Sequence, residues 1–289
     1  MRKVLVLVLA MLLVLASMPV LAEETESGWQ NILLMGGDSR DMNVYGLTDS
    51  MMILSINRDE ALVKMTSVMR DTWVNIPGHG SQKINAAQNY GGPELAVQTV
   101  NENFGTDIED YVLVNMEDLV QIVDLMGGVV VDVSANERKV ANDYIRNYLH
   151  TTNAAAYTGE TEITETGVIR LNGLQAMGYC RDRYTGSDFD RVMRQQEVLI
   201  SLATEAQEME VEDLLNVAGQ IADIVNTSLD KEELEDLATA FMVMEVEDVQ
   251  QYRIPADGAF QSGTFSGTWM IKPDLAKNQQ LLHQFIYGE

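Results

Sequence analysis

Apolar runs of strand length alternate along this chain with segments whose apolar residues recur at helical spacing, and this alternation restricts the fold more than any other feature. Residues 31–35, 50–56, 61–68, 110–115, 129–133 and 250–254 read as strands. Residues 83–90, 93–104, 117–126 and 171–179 read as helices, as does a long stretch from Ser187 as N-cap, with Asp190 at N3, to about Glu210. Acidic helices occupy 212–244, and a last helix spans 277–286. The strands at 50–56 and 61–68 are joined by Asn57-Arg58-Asp59-Glu60, which reads as a hairpin. Most other strands are separated by helices. The pattern is that of a layered α/β domain with mixed strand directions.

Glycines punctuate the pattern. Gly36-Gly37 reads as a turn after the first strand, Gly91-Gly92 divides two helices, and Gly258 to Gly267 brackets a glycine-rich turn. Residues 134–168 are polar and read as one helix plus an irregular excursion. The boundaries that follow are 1–22 as a leader, 23–30 as a polar linker, 31–203 as the main domain, and 204–289 as a helix-strand-helix extension of the same core. Cys180 is the single cysteine, so an intramolecular disulfide is impossible and stability must come from burial.

The leader carries Arg2 and Lys3, then an apolar run from 4 to 16, then Val20-Leu21-Ala22 before Glu23. Two readings stand: a cleaved signal peptide, or an uncleaved anchor, since 4–22 holds no charge. Either places the remainder outside the cytoplasm, secreted or membrane-anchored at its N-terminus. No cysteine stands directly after the apolar run, which excludes a lipoprotein anchor.

The sequence has 19 Lys+Arg against 44 Asp+Glu, a formal net charge of −25. A field of that sign repels nucleic acid, so an anionic ligand must be gripped locally. Against this background Arg170, Arg181, Arg183, Arg191 and Arg194 fall within 25 residues, with no lysine among them. Arginine presents a rigid fork that matches phosphate oxygens two at a time. The spacing of Arg181 and Arg183 puts both on one face of an extended stretch. Arg191, Arg194 and Gln195 share a face at a helix start, where free N–H groups also favour an anion. A solvated face pairing with Asp182, Asp188 and Asp190 is the competing reading. Arg70, after a strand, offers another fork, and Lys83 a point charge.

Asp38 and Asp49 lie beside consecutive strands near one sheet edge. Two hard carboxylates suit a Mg2+-type ion that takes further ligands from phosphate and water. The alternative is a turn-former and a strand cap. His79, His150 and His283 are far apart, and no Walker-type loop occurs. Gly37-Asp38-Ser39 imitates an esterase nucleophile block, but the residue three before His283 is Gln280, so the required aspartate is missing and Ser39 is a turn serine.

Read in order, NILLMGGDSR, LTDSMMILSIN, MRDTWVNIPG, KIN, ENFGTDIEDYVLVN, DLMGGVVVDV, LNGLQAMGYCRDR and SDFDRVMRQQ resemble the LytR-CpsA-Psr family of bacterial cell-envelope proteins. The resemblance runs from about Asn31 to Leu202. It implies a mixed central β-sheet flanked by helices on both faces, with the C-terminal extension packed on the same core. A long apolar pocket for a polyprenyl chain is implied as well.

The resemblance also implies an extracytoplasmic enzyme that moves a glycopolymer (teichoic acid, capsule or a related glycan) from a polyprenyl-pyrophosphate donor to peptidoglycan as a phosphodiester. The lipid substrate would tie it to the outer leaflet of the membrane. By position, Asp38 and Asp49 match the metal aspartates for Mg2+ or Mn2+. Arg70, Lys83, Arg181, Arg183, Arg191, Arg194 and Gln195 match the pyrophosphate set. Asp188 falls where a base has been placed, and Asp188, Arg70 and Arg181 are the implied catalytic residues. Three departures stand out: Leu47 replaces an arginine, Ser187 replaces a glycine, and the loop between Arg183 and Asp188 is short. Two alternatives remain in view, a regulatory protein that binds the lipid without turnover, and a polyprenyl pyrophosphatase.

Overall fold

The computed structural model describes residues 28–37, 46–152, 159–186, 188–241 and 249–288. The leader, most of the linker, Asp38, Ser39 and Ser187 lie outside the described residues, as does the side chain of Asp188. Among the described residues no helix is long and apolar enough to cross a membrane.

Six strands form the central sheet in the order β10-β3-β2-β1-β6-β9. They are β1 (Trp29–Gly37), β2 (Thr48–Asn57), β3 (Leu62–Val68), β6 (Asp110–Val114), β9 (Asn226–Thr227) and β10 (Gln250–Ile254). β2 runs antiparallel to β1 and β3, whereas β1 pairs β6 and β3 pairs β10 in parallel. The carboxyl ends of β1, β3, β6 and β10 and the amino end of β2 therefore share one edge of the sheet. The expected turn at Gly36-Gly37 is instead the end of β1. The pair continues in register with Ser50 and Thr48 through a bulge, and a Cβ on Gly36 would meet that of Ser50 at 3.2 Å.

Strand side chains alternate between two cores, as a period of two requires. Leu33, Met35, Met51 and Ile53 pack under α1 (Ala87–Phe104) and α8 (Leu275–Tyr287), against Val100, Phe104, Leu282 and Ile286. Ile32, Leu54, Ile56, Val63 and Met65 face the other way. There they meet Leu199 and Ile200 of α5 (Asp188–Glu208) and Leu234 and Leu237 of α7 (Lys231–Phe241). Helices thus cover both faces of a mixed sheet, as expected.

A second layer stands beside β6. It holds α2 (Met116–Leu125), β7 (Val129–Val133), α3 (Ala135–Thr152), β8 (Gly167–Leu171) and α4 (Gly173–Cys180). α4 begins at a capping box in which Asn172 and Gln175 satisfy each other's backbone N–H. Leu171, expected in that helix, is the last residue of β8. Glycines let α4 wedge between its neighbours: a Cβ on Gly173 would collide with Val120 O of α2, and one on Gly178 would sit 2.8 Å from Ala141 O of α3.

Three pairings depart from the expected elements. β4 (Trp73–Ile76) and β5 (Gly80–Lys83) form a hairpin, so Lys83 ends a strand rather than starting a helix. β8, which begins at the end of the polar stretch 134–168 and was not expected as a strand, pairs with the expected strand β7. The glycine-rich turn at 258–267 instead holds strand β11 (Phe260–Phe265), which forms a hairpin with β12 (Thr268–Pro273) just beyond it. This hairpin reaches back across the molecule, where Ile271 N donates to Asp71 O at 3.0 Å. α6 (Val211–Ala222) completes the helices described.

Candidate anion-binding site

The site is built on the shared edge of the sheet. β3 ends at Val68, and Met69 N donates to Ile254 O of the neighbouring strand. The chain then turns sharply, with the Thr72 backbone N–H and hydroxyl both donating to Met69 O. That turn presents Arg70 toward the amino end of the antiparallel β2, where Asp49 sits. Arg70 Nη1 donates to Asp49 Oδ1 at 2.7 Å. Arg183, from the loop after α4, forms an ion pair with Asp49 Oδ2 at 2.7 Å. Each carboxylate oxygen thus holds one guanidinium.

Burial raises the Asp49 carboxyl, but Arg183, Arg70 and Arg191, with the Arg70 hydrogen bond, more than offset this and hold it below its ordinary value. Arg191 is only 2% exposed on the first turn of α5. The β4–β5 hairpin returns Lys83 beside Trp73, where its ammonium pairs with Asp71 at 2.6 Å. Asp71 also lies 3.7 Å from Arg70 Nε. Four cationic side chains gather around two carboxylates, Asp49 and Asp71, on a chain that is strongly acidic overall. Asp71 was not singled out as a site residue from sequence, although a carboxylate directly after Arg70 was the available signal.

The other expected residues are placed differently. Arg181 does not share an extended face with Arg183. It is the helical C-cap of α4, and its guanidinium reaches Met116 Sδ at 3.1 Å and lies 5.2 Å from the Tyr144 ring. Arg194 is 4% exposed and braces the loop: its terminal nitrogens donate to Asp182 O at 2.6 Å, Thr185 O at 3.3 Å and Glu137 Oε1 at 3.1 Å. Gln195 donates to Cys180 O at 3.5 Å. Arg170 pairs with Glu205 on the surface, apart from this cluster. Asp182, fully buried, turns the loop by accepting from Tyr184 N and Thr185 N. Burial pushes the neighbouring Cys180 thiol up to about 12, so it is packing rather than a nucleophile. Leu47, two residues before Asp49, is 45% exposed.

Among the described residues Asp49 alone of the expected pair offers the hard carboxylate oxygens that a divalent cation takes. Asp49 is held ionised: its Oδ1 accepts from Arg70 and its Oδ2 is paired with Arg183. Asp38 lies outside the described residues, but its neighbour Gly37 pairs with Thr48, next to Asp49.

Compared with known proteins, residues 16–285 match the LytR_cpsA_psr family. Polyisoprenyl-teichoic acid–peptidoglycan teichoic acid transferase TagU of Oceanobacillus iheyensis is 37% identical over 223 residues, covering 73% of this chain and 62% of TagU. The match therefore spans less than two thirds of that relative. Regulatory protein MsrR of Staphylococcus aureus is 30% identical over 261 residues, 89% of this chain and 74% of its own length. Among solved structures, B. subtilis TagV shares the fold with a TM-score of 0.71 at 23% identity, covering 91% of this chain and 98% of TagV. The family protein YwtF (TagT) with bound octaprenyl pyrophosphate lipid has a TM-score of 0.67 at 23% identity, over 93% and 95% of the two chains. With a match across nearly its whole length, this chain belongs to the LytR_cpsA_psr family.

Proposed function

We propose that the protein transfers a glycopolymer from a polyprenyl-pyrophosphate carrier to a peptidoglycan hydroxyl on the outer side of the cell membrane. The observation that carries this reading is Asp49, ionised between Arg70 and Arg183 at 2.7 Å each. That carboxylate holds two guanidinium forks aimed at one point before any phosphate arrives. Preorganised charge of this kind can supply much of the catalysis of phosphoryl transfer. The names of TagU and of the lipid-bound TagT structure agree with a lipid-linked donor.

In the reaction, an acceptor oxygen bonds to the phosphorus that carries the glycan, and the bond from that phosphorus to the bridging oxygen breaks. Polyprenyl phosphate leaves, a phosphodiester forms, and the hydroxyl proton passes to a base, for which Asp188 at the head of α5 is the candidate. Arg70, Arg183 and Arg191 neutralise the phosphate oxygens, with Lys83 beside them. Arg194 and Gln195 hold the loop that carries Arg183. Asp49 and Asp38 would hold Mg2+ or Mn2+, which when bound supplies further charge neutralisation at the pyrophosphate. The prenyl chain would lie on the α5/α7 side of the sheet. Leu34, Val112, Leu199, Ile200, Leu234 and Leu237 are only partly buried there, so an apolar guest would complete their packing.

The test is to incubate the purified protein with Mg2+, a prenyl-pyrophosphate-linked glycan and peptidoglycan fragments. Release of prenyl phosphate coupled to glycan attachment is expected, and Arg183→Ala should slow it about a hundredfold. Tight lipid binding with no release would instead make this a binding protein, and release without an acceptor would make it a pyrophosphatase.

A further inference from the structure

The face of α3 that looks toward the arginine loop carries Asn136, Lys139, Asp143, Tyr144 and Asn147, whose spacing lines them up as one stripe. Between this stripe and the loop from Arg181 to Gly186 runs an open groove of about 710 Å3. The Tyr144 and Tyr184 rings lie 6.2 Å apart and 28° from parallel, and Tyr184 is 81% exposed. Arg181 belongs both to this groove and to the loop whose Arg183 grips Asp49.

The lining excludes some ligands. Asp143 lines the groove together with Lys139 and Arg181, so the lining carries both signs of charge rather than the purely cationic field that draws a polyanion. It is not an apolar slot either, because neutral amides and a carboxylate project into it between the aromatic rings. Amide and carboxylate side chains pair with hydroxyl and acetamide groups. Open tyrosine faces give flat apolar area at low entropic cost to the C–H faces of sugar rings. From Asn136 to Asn147 the helix rises roughly 16 Å, long enough for several rings in a row.

We propose that this groove binds an uncharged, N-acetylated glycan strand, and that this strand is the acceptor, entering along α3 with its reactive hydroxyl toward Arg181. The acceptor role rests on the transferase reading; the glycan binding does not. Tyr184 and Asn147 are then specificity residues, both exposed and neither part of the phosphate clamp.

The purified full-length protein is titrated with the N-acetylglucosamine tetramer, with calorimetric heat as the readout. Saturable binding is expected, weakened about tenfold by Tyr184→Ala and by Asn147→Ala. Both variants should keep the wild-type melting temperature and the wild-type affinity for sugar-free octaprenyl pyrophosphate. If the tetramer fails to bind while octaprenyl pyrophosphate binds normally, the groove assignment falls and the proposed function stands. Tetramer binding that neither variant weakens overturns the assignment as well, as does a glycerol phosphate oligomer that binds in preference to the tetramer. If the variants weaken a sugar-bearing prenyl-pyrophosphate donor and leave the tetramer unaffected, the groove serves the donor and the acceptor assignment is wrong. Tetramer binding lost in both variants, in a protein that never releases prenyl phosphate, keeps the glycan groove and removes the transferase reading.

Discussion

Asp49 works by being ionised, and its surroundings keep it so. Burial alone would raise its carboxyl, but three guanidiniums reverse that and hold it below the ordinary value of 3.8. A carboxyl depressed in the folded state contributes stability that is complete above its unfolded value and is lost as pH falls through the lower folded one. Asp49→Asn should therefore destabilise the protein by a constant amount across neutral pH, shrinking only below about pH 4. Urea unfolding of both proteins at several pH values checks this, and a gap that closes between pH 5 and pH 8 would refute it. Octaprenyl pyrophosphate binding should also weaken, because Arg70 and Arg183 lose the carboxylate that aims them. Cys180 gives a second residue-level outcome. With its thiol pushed up to about 12, iodoacetamide at pH 8 should leave the native protein unmodified and label it readily in denaturant, as read by mass spectrometry.

Among the elements, α4 depends most on tight packing. It reaches its place only because Gly173 lies against Val120 O and Gly178 against Ala141 O and Ile145. Gly173→Ala should cost about 2–3 kcal/mol by overpacking, and should displace the loop that carries Arg181 and Arg183. Chemical denaturation measures the first effect and loss of prenyl-pyrophosphate affinity the second; a variant with wild-type values for both would show that the helix can shift freely. The strands at β1, β2, β3, β6 and β10 were legible because nearly continuous or alternating apolar residues mark them. β5, β8 and β11 were not, because their residues are mostly exposed or half-buried and each is defined by a partner strand. Pro77-Gly78 was the turn signal that could have revealed the β4–β5 hairpin. The same limit applies to the site. Arg70, Arg183 and Asp49 could each be named from sequence, but not that one carboxylate joins the two arginines. Arg181 and Arg183 were expected to point together, yet the first still belongs to a helix end and the second to a loop turned by Asp182.

At the scale of the whole molecule, the core under α1 and α8 and the site both depend on the C-terminal segment. β10 pairs along β3, Ile254, Leu282 and Ile286 are fully buried, and Ile271 bonds the backbone of Asp71 beside Arg70. A chain ending at residue 249 should lose cooperative thermal unfolding and prenyl-pyrophosphate binding together, as followed by circular dichroism and calorimetry. Retention of either would mean that the main layer stands alone. Arg253, which stacks 4.3 Å from the Phe189 ring near the head of α5, adds a further tie between the segment and the arginine helix.

That dependence also sets an order of events in the life of the molecule. A ribosome delivers Asp49 and Arg70 early and the strand that braces them nearly two hundred residues later. Until the last stretch has emerged, the growing chain carries an open sheet edge at β3 and a loosely held pair of arginines. Competence to grip a phosphate therefore comes late, once residues 250–273 have emerged, and a product terminated before them has no assembled clamp to occupy.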